Sequence, residues 1–234
     1  MRGIDTSNWQ GDYDLGATGV DFVIAKATEG TGYVDPYCDG TVQKARESGR
    51  CWGFYHFAGG GDPTAEADYF IDNCENYFGE GIPVLDWEGE QNVDWVNSFT
   101  ARIYERARVR PWIYANPWRF NQGGVDSDCA RWVASYPDVS APGFDYAEGC
   151  DWPDAEGNVV AWQFCSDGII EGVGGGCDCD LYCGDAESWR RYALGDRETV
   201  DSGSDGGGAG DSGCQPCESS TLENEEYVVE IRRK

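Results

Sequence analysis

The stretch "IPVLDWEGE", residues 82–90, runs four mostly apolar residues into Asp86, then Trp87, Glu88 and a glycine. Side chains alternate faces along an extended chain, so Asp86 and Glu88 share one face and Trp87 takes the other, with roughly 6–7 Å between the two acids along the strand. A pair of carboxyl groups is what a glycosidase needs, one to donate a proton and one to assist it. Asp5 ends a second β-rich run, "RGID" (2–5), and Asp180 lies in a last one, "CDCDLYC" (177–183). If the sheet closes into a barrel, first and last strands are neighbours and four carboxyls crowd one rim. Like charges a few ångströms apart cannot all ionise easily, so at least one should keep its proton toward neutrality. The same cluster of hard oxygens would also suit Ca²⁺ or Mg²⁺, which is the competing chemistry.

Other catalytic repertoires are thin. The chain has a single histidine, His56. Multi-histidine metal sites are excluded, and a Ser–His–Asp triad could form only through His56. Its place inside the apolar run "CWGFYHF" (51–57) reads as a core position. Eleven cysteines, an odd number, leave disulfides, metal and reduced thiols open, with at least one cysteine unpaired in a monomer. Cys214 and Cys217 form a lone C-x-x-C without the second pair that zinc sites usually show. The reading therefore assigns no metal and no cofactor.

Seventeen Lys and Arg against 43 Asp and Glu give a net charge of −26 over 234 residues. That charge disfavours nucleic acid and anionic membrane as partners. No run approaches 18 apolar residues, and "MRGIDTSNW" lacks the apolar region of a secretory signal. Ten Trp and thirteen Tyr offer flat rings for core packing or for stacking on sugars.

The elements that must position the acids alternate. β-rich runs at 2–5, 21–27, 51–57, 82–89, 110–116, 131–136, 159–165 and 177–183 make eight expected strands. Helical periodicity fills 36–48, 62–78 and 92–108. Strand–helix alternation implies a parallel sheet, but after about residue 117 long helices fade while strands continue. The expected fold is an α/β barrel that starts as β/α units and finishes with bare strands, over residues 1–194. Residues 195–218 read as a Gly/Ser/Asp-rich linker. Residues 219–234 read as a short C-terminal segment: the start or remnant of a wall-binding module, an edge strand, or a self-association contact.

Several stretches, in order, resemble the glycoside hydrolase family 25 muramidases, lysozymes of the Chalaropsis type found in phage endolysins and bacterial autolysins. They are "GIDTSNWQG" (3–11), "FVIAKATEGTGYVDP" (22–36), "GFYHFA" (53–58), "PVLDWEG" (83–89), "WIYAN" (112–116), "AWQFCSDG" (161–168) and "CDLYCGD" (179–185). The resemblance implies an irregular TIM-like barrel, five β/α units followed by three strands without long helices. It implies cleavage of the β-1,4 bond between N-acetylmuramic acid and N-acetylglucosamine in bacterial peptidoglycan. By position, Glu88 matches the general acid and Asp86 its partner, assisting the substrate N-acetyl group. Asp5 and Asp180 match the remaining acidic positions. Tyr55, Tyr114, Trp162, Gln163, Lys26 and Glu29 match positions expected to bind substrate. A non-catalytic wall-binding module on the same barrel is the alternative. With no leader visible, the expected setting is a phage endolysin released by a holin, or a secreted enzyme.

Overall fold

In a computed structural model that describes residues 1–197, the period-two runs become strands and the 3.6-period runs become helices. The strands are β1 (Arg2–Thr6), β2 (Phe22–Glu29), β3 (Tyr33–Val34), β4 (Cys51–Phe57), β5 (Ile82–Asp86), β6 (Trp112–Ala115), β7 (Arg131–Ala134), β8 (Val159–Ile169) and β9 (Gly176–Tyr182). The α-helices are α1 (Cys38–Ser48), α2 (Pro63–Cys74), α3 (Val93–Ala107), α4 (Pro117–Phe120), α5 (Phe144–Glu148) and α6 (Ala186–Leu194). Eight strands close into a barrel in the order β1-β9-β8-β7-β6-β5-β4-β2, with β2 pairing back to β1. β3 is a two-residue addition, antiparallel to β2. The expected irregular α/β barrel is present, with its three long helices in the first half. Of the expected linker (195–218), Gly195–Arg197 form a short 3-10 turn that follows α6; its remainder and the expected C-terminal segment, from residue 198 onward, lie outside the described residues.

One expectation needs correction: the sheet is mixed, not parallel. β9 runs antiparallel to both β8 and β1. Residues 170–175 join β8 to β9 without a helix. A parallel return needs a crossover of a dozen or more residues, so so short a link can only make a hairpin. At the barrel mouth, β9 therefore presents its beginning where the parallel strands present their ends.

Local sequence sets the helix boundaries. Asp62 caps α2, its carboxylate accepting from Ala65 N at 2.8 Å, with Pro63 in the first turn. Asn92 caps α3 in the same way through Trp95 N. α1 ends at Gly49, in the left-handed conformation at φ 68°. α6, absent from the expected elements, carries a capping box between Asp185 and Ser188.

Alternation along each strand sorts the core into two layers. Outward residues such as Val23, Phe54, Leu85 and Ile113 pack with Phe70, Val96 and Phe99 of the helices. Inward residues Phe22, Ile24, Val84, Trp112, Trp132 and Tyr182 fill the barrel. Gly3 points inward at Phe22, whose ring lies 2.2 Å from where a Cβ would stand, so a side chain here would displace the ring. α6 closes the barrel end opposite the mouth. Its Trp189 meets Phe22 at 4.7 Å, Tyr182 at 5.1 Å and Trp112 at 5.2 Å between ring centroids. The Trp189 indole N–H donates to the Trp52 carbonyl at 3.0 Å. Trp189→Ala should cost about 3–5 kcal/mol of stability, read as a lower denaturant midpoint in equilibrium unfolding.

Candidate active site at the barrel mouth

Where the parallel strands end, the mouth opens into a cleft of about 220 Å³. Four carboxylates line it: Asp5, Asp86, Glu88 and Asp178. Aromatic rings from Trp9, Tyr55, Phe57, Tyr114, Trp132 and Tyr136 line it with them, as do Ser7, Lys26 and Gln163.

Asp86 is the last residue of β5, and Glu88 lies two residues beyond the strand. The alternation nevertheless persists. Trp87 N donates to the Tyr114 carbonyl at 2.9 Å, extending the ladder by one bond. Trp87 is buried in the outer layer, and its indole N–H donates to the Gln91 carbonyl at 2.8 Å. With Trp87 anchored outward, Asp86 and Glu88 both reach the cleft. Arg119 Nη2 donates to the Glu88 carbonyl at 2.7 Å, and its guanidinium lies 5.1 Å from the Trp87 ring centroid. Glu88 is exposed while Asp86 is buried. Burial, then the charge of Glu88, hold the Asp86 carboxyl well above the ordinary range. Asp86 Oδ1 has no hydrogen-bond partner among the described residues.

Asp5 is held from the opposite side of the barrel. Gln163 Nε2 donates to Asp5 Oδ2 at 2.6 Å. The same amide's Oε1 accepts from Tyr114 at 2.8 Å and from Tyr136 at 2.5 Å. Two phenols thereby fix the amide, and the amide fixes Asp5. Burial raises the Asp5 carboxyl well above its ordinary range, with Asp178 and Asp180 adding to the effect.

The last strand departs from the sequence reading. Asp180 is fully buried and lies below the cleft, its Oδ1 accepting from the Trp132 indole N–H at 2.9 Å. Asp178 occupies the rim, directly across from Asp5 in the β1–β9 register. Both acids point into the barrel, two residues apart on one face, so direction alone does not separate them. Depth does: β9 starts at the mouth, and the earlier acid is the outer one. Burial and then the charge of Glu88 push the Asp178 carboxyl up to about 6.

The remaining expected residues divide. Tyr55, Tyr114, Gln163 and Lys26 reach the cleft. Glu29 stays outside the lining and pairs with Lys26 at 2.6 Å. Lys26 also lies 4.7 Å from the Phe57 ring centroid. Trp162 is not brought to the cleft. It faces outward, opposite to Gln163, and packs with Phe164 and Trp152. Its indole N–H donates to the Ser135 carbonyl at 2.6 Å. Trp132, one strand away and pointing inward, lines the cleft instead.

His56 is a core residue. It is fully buried between Thr28 Oγ1 at 2.8 Å and Glu66 Oε2 at 3.1 Å, and burial lowers its pKa. Glu66 also accepts from Gly59 N and Gly61 N, tying down the turn after β4. Among the described residues, Cys38, Cys74, Cys129, Cys165, Cys177 and Cys179 are buried thiols without a disulfide, and burial raises the pKa of each. Among the described residues, no group of three or more His, Cys, Asp or Glu is arranged to hold a metal ion.

Sequence reasoning missed Asp178, Trp9, Trp132 and Tyr136. Asp178 was legible had the last strand been read as the second arm of a hairpin. Trp9 lies in a quoted motif, but its 87 % exposure is a property of the turn after β1. Tyr136 ends the expected run 131–136 and by alternation shares the face of Trp132, but β7 stops at Ala134, so it reaches Gln163 from just beyond the strand.

Comparison with known proteins agrees with this architecture. The family model described as "Glycosyl hydrolases family 25" matches residues 4–173. Lysozyme M1 of Streptomyces globisporus is 31% identical over 211 residues, covering 80% of this chain and 69% of that protein. The autolytic lysozyme of Clostridium acetobutylicum is 28% identical over 192 residues, covering 78% of this chain but only 56% of the relative's own length. The crystal structure of a bacterial lysozyme from Streptomyces coelicolor superposes with a TM-score of 0.69 at 29% identity, covering 83% of this chain and 97% of that one.

The Asp178 carboxyl should titrate near pH 6 by carbon-13 carboxyl NMR, about two units above an exposed aspartate. In Glu88→Gln its midpoint should fall, because one of the two causes of the shift is gone; an unchanged midpoint would rule out the Glu88 contribution.

Proposed function

Because the chain belongs to glycosyl hydrolases family 25, which makes it a glycoside hydrolase of the muramidase family, we propose that it cleaves the β-1,4 bond between N-acetylmuramic acid and N-acetylglucosamine in bacterial peptidoglycan. The observation that carries this reading is the cleft itself: four carboxylates under an open mouth, flanked by aromatic rings suited to stacking on sugars.

In this reading Glu88 protonates the departing glycosidic oxygen. It is the exposed acid of the four, standing where a polymer can reach it. Asp86 orients the 2-acetamido group of the sugar whose bond breaks. Its Oδ1 has no hydrogen-bond partner among the described residues, and an acetamido N–H is the donor it lacks. The acetamido oxygen then attacks the anomeric carbon as the glycosidic bond breaks. Asp86 stabilises the positive charge that develops on the acetamido group. Water afterwards opens the cyclic intermediate and Glu88 takes back a proton, so the enzyme returns to its starting state. Asp5 and Asp178 line the other side of the cleft, and Asp178 takes the role that sequence position assigned to Asp180. Trp9 offers its ring to a sugar at the cleft edge, where its 87 % exposure has no packing purpose. Bacterial cell wall is the proposed place of action, after release from a phage-infected cell or after secretion.

Two variants test this. Glu88→Gln should lower turnover on purified peptidoglycan by at least about 100-fold, with the unfolding midpoint unchanged. Wild-type clearing by a folded Glu88→Gln protein would remove Glu88 from the mechanism. Trp9→Ala should raise KM on long glycan strands by roughly 5–10-fold and leave kcat nearly intact, the signature of a lost stacking contact. A fall in kcat with KM unchanged would place Trp9 in the chemistry instead.

A further inference from the structure

Outside the cleft lining, Glu66 is a carboxylate almost wholly buried in the first turn of α2. Such a group is costly unless donors satisfy it. Three do. Oε2 accepts from the Gly59 amide at 2.8 Å and from His56 Nε2 at 3.1 Å, and Oε1 accepts from the Gly61 amide at 2.6 Å. Burial works against the charge, but these bonds outweigh it and hold the Glu66 carboxyl below its ordinary range. An ionised carboxylate only accepts, so Nε2 carries the ring proton and Nδ1 accepts from the Thr28 hydroxyl at 2.8 Å.

The two amides belong to the turn between β4 and α2, and the same turn grips the segment that carries Glu88. The Ala58–Gly59 peptide group is held at both ends. Its N–H donates to Glu66, and its carbonyl accepts from Gln91 Nε2 at 3.0 Å. A planar peptide so held cannot tilt without losing one of the two bonds. Beside it, Ala58 N donates to the Asp86 carbonyl at 3.0 Å, and the Trp95 indole N–H donates to the Gly61 carbonyl at 2.7 Å. Gln91 folds back over Gly89, where a Cβ would stand 2.6 Å from its Nε2. The Gln91 carbonyl then accepts the Trp87 indole N–H at 2.8 Å. Residues 87–92 belong to no strand or helix, so side-chain bonds such as these must place Glu88.

We propose that Glu66 is a positioning residue: its carboxylate fixes the turn after β4, and the turn, through Gln91 and Trp87, aims Glu88 into the cleft. The effect on turnover rests on the reading of Glu88 as the acid; the hydrogen-bonded route does not. A general acid must stand within hydrogen-bond reach of the oxygen it protonates, and a displacement of about 1 Å can cost about 100-fold. Glu66→Gln keeps the side chain's size but turns an N–H₂ toward a donor in place of one acceptor oxygen. Gln91→Met fills similar space and removes the donor to Ala58.

The test measures kcat and KM on purified peptidoglycan for wild type, Glu66→Gln, Gln91→Met and the double variant, with the tryptophan indole N–H signals followed by proton–nitrogen NMR. Each single variant should lower kcat at least about 10-fold with KM within about twofold. The double variant should stay within about threefold of the larger single loss, because both changes break one route. The Trp87 indole signal, assigned by its loss in Trp87→Phe, should shift in Glu66→Gln, although it lies three hydrogen bonds away. Losses that multiply in the double variant, to about 100-fold or more, overturn the proposal, as does a Trp87 signal unmoved in folded Glu66→Gln. Gln91 is half-buried in a loop, and an unchanged kcat in Gln91→Met overturns the proposal even if Glu66→Gln does not fold. If the wild type itself hydrolyses no peptidoglycan, the functional reading fails while the Trp87 signal still decides the route.

Discussion

Everything at the mouth of this barrel follows from carboxyl groups taken out of water beside one another. Asp5, Asp86 and Asp180 are buried, and Asp178 and Glu88 stand close above them. Among the described residues, the cleft's one lining cation is Lys26, and it is paired with Glu29. Burial disfavours the charged forms of Asp5, Asp86, Asp178 and Asp180, and in each the charge of a neighbouring acid adds to it. Protons and neutral donors must do what cations would otherwise do. The neutral donors are visible: the Gln163 amide on Asp5 and the Trp132 indole on Asp180. Tyr114 and Tyr136 hold the amide in turn. A cluster so arranged costs folding energy.

The direction of one strand decides which acids line the cleft. Parallel strands bring their ends to the mouth, which is why Asp5 and Asp86 are there. β9 comes back as a hairpin arm and brings its beginning, so Asp178 is outermost and Asp180 lies beneath. The same two residues in a parallel strand would exchange depths. Chain direction, a matter of a six-residue link, thus separates a cleft acid from a buried one.

Much of this was legible in the residues. The D-x-E spacing of Asp86 and Glu88, with Trp87 outward, survives even though the strand ends at Asp86, because one further ladder bond keeps the chain extended. The eight strand runs and three long helices were readable from periodicity. What escaped depended on relations between distant segments. Trp162 and Trp132 are both strand tryptophans with apolar neighbours, and only the register of β7 against β8 says which faces inward. Tyr136 ends the expected run 131–136, but β7 stops at Ala134, so its reach to Gln163 depends on the chain path beyond the strand. α6 was missed although Asp185 and Ser188 form a capping box, because the barrel reading had no place for a helix closing the far end.

The central claim is the bond that is cut, and fragment chemistry addresses it directly. Purified peptidoglycan would be digested to completion, the products reduced with borohydride, and the reduced sugar identified by mass spectrometry. The account predicts that the new reducing ends are N-acetylmuramic acid, converted to muramitol residues, with the stem peptides intact. Reduced N-acetylglucosamine, or cleaved peptides without new reducing ends, would contradict it.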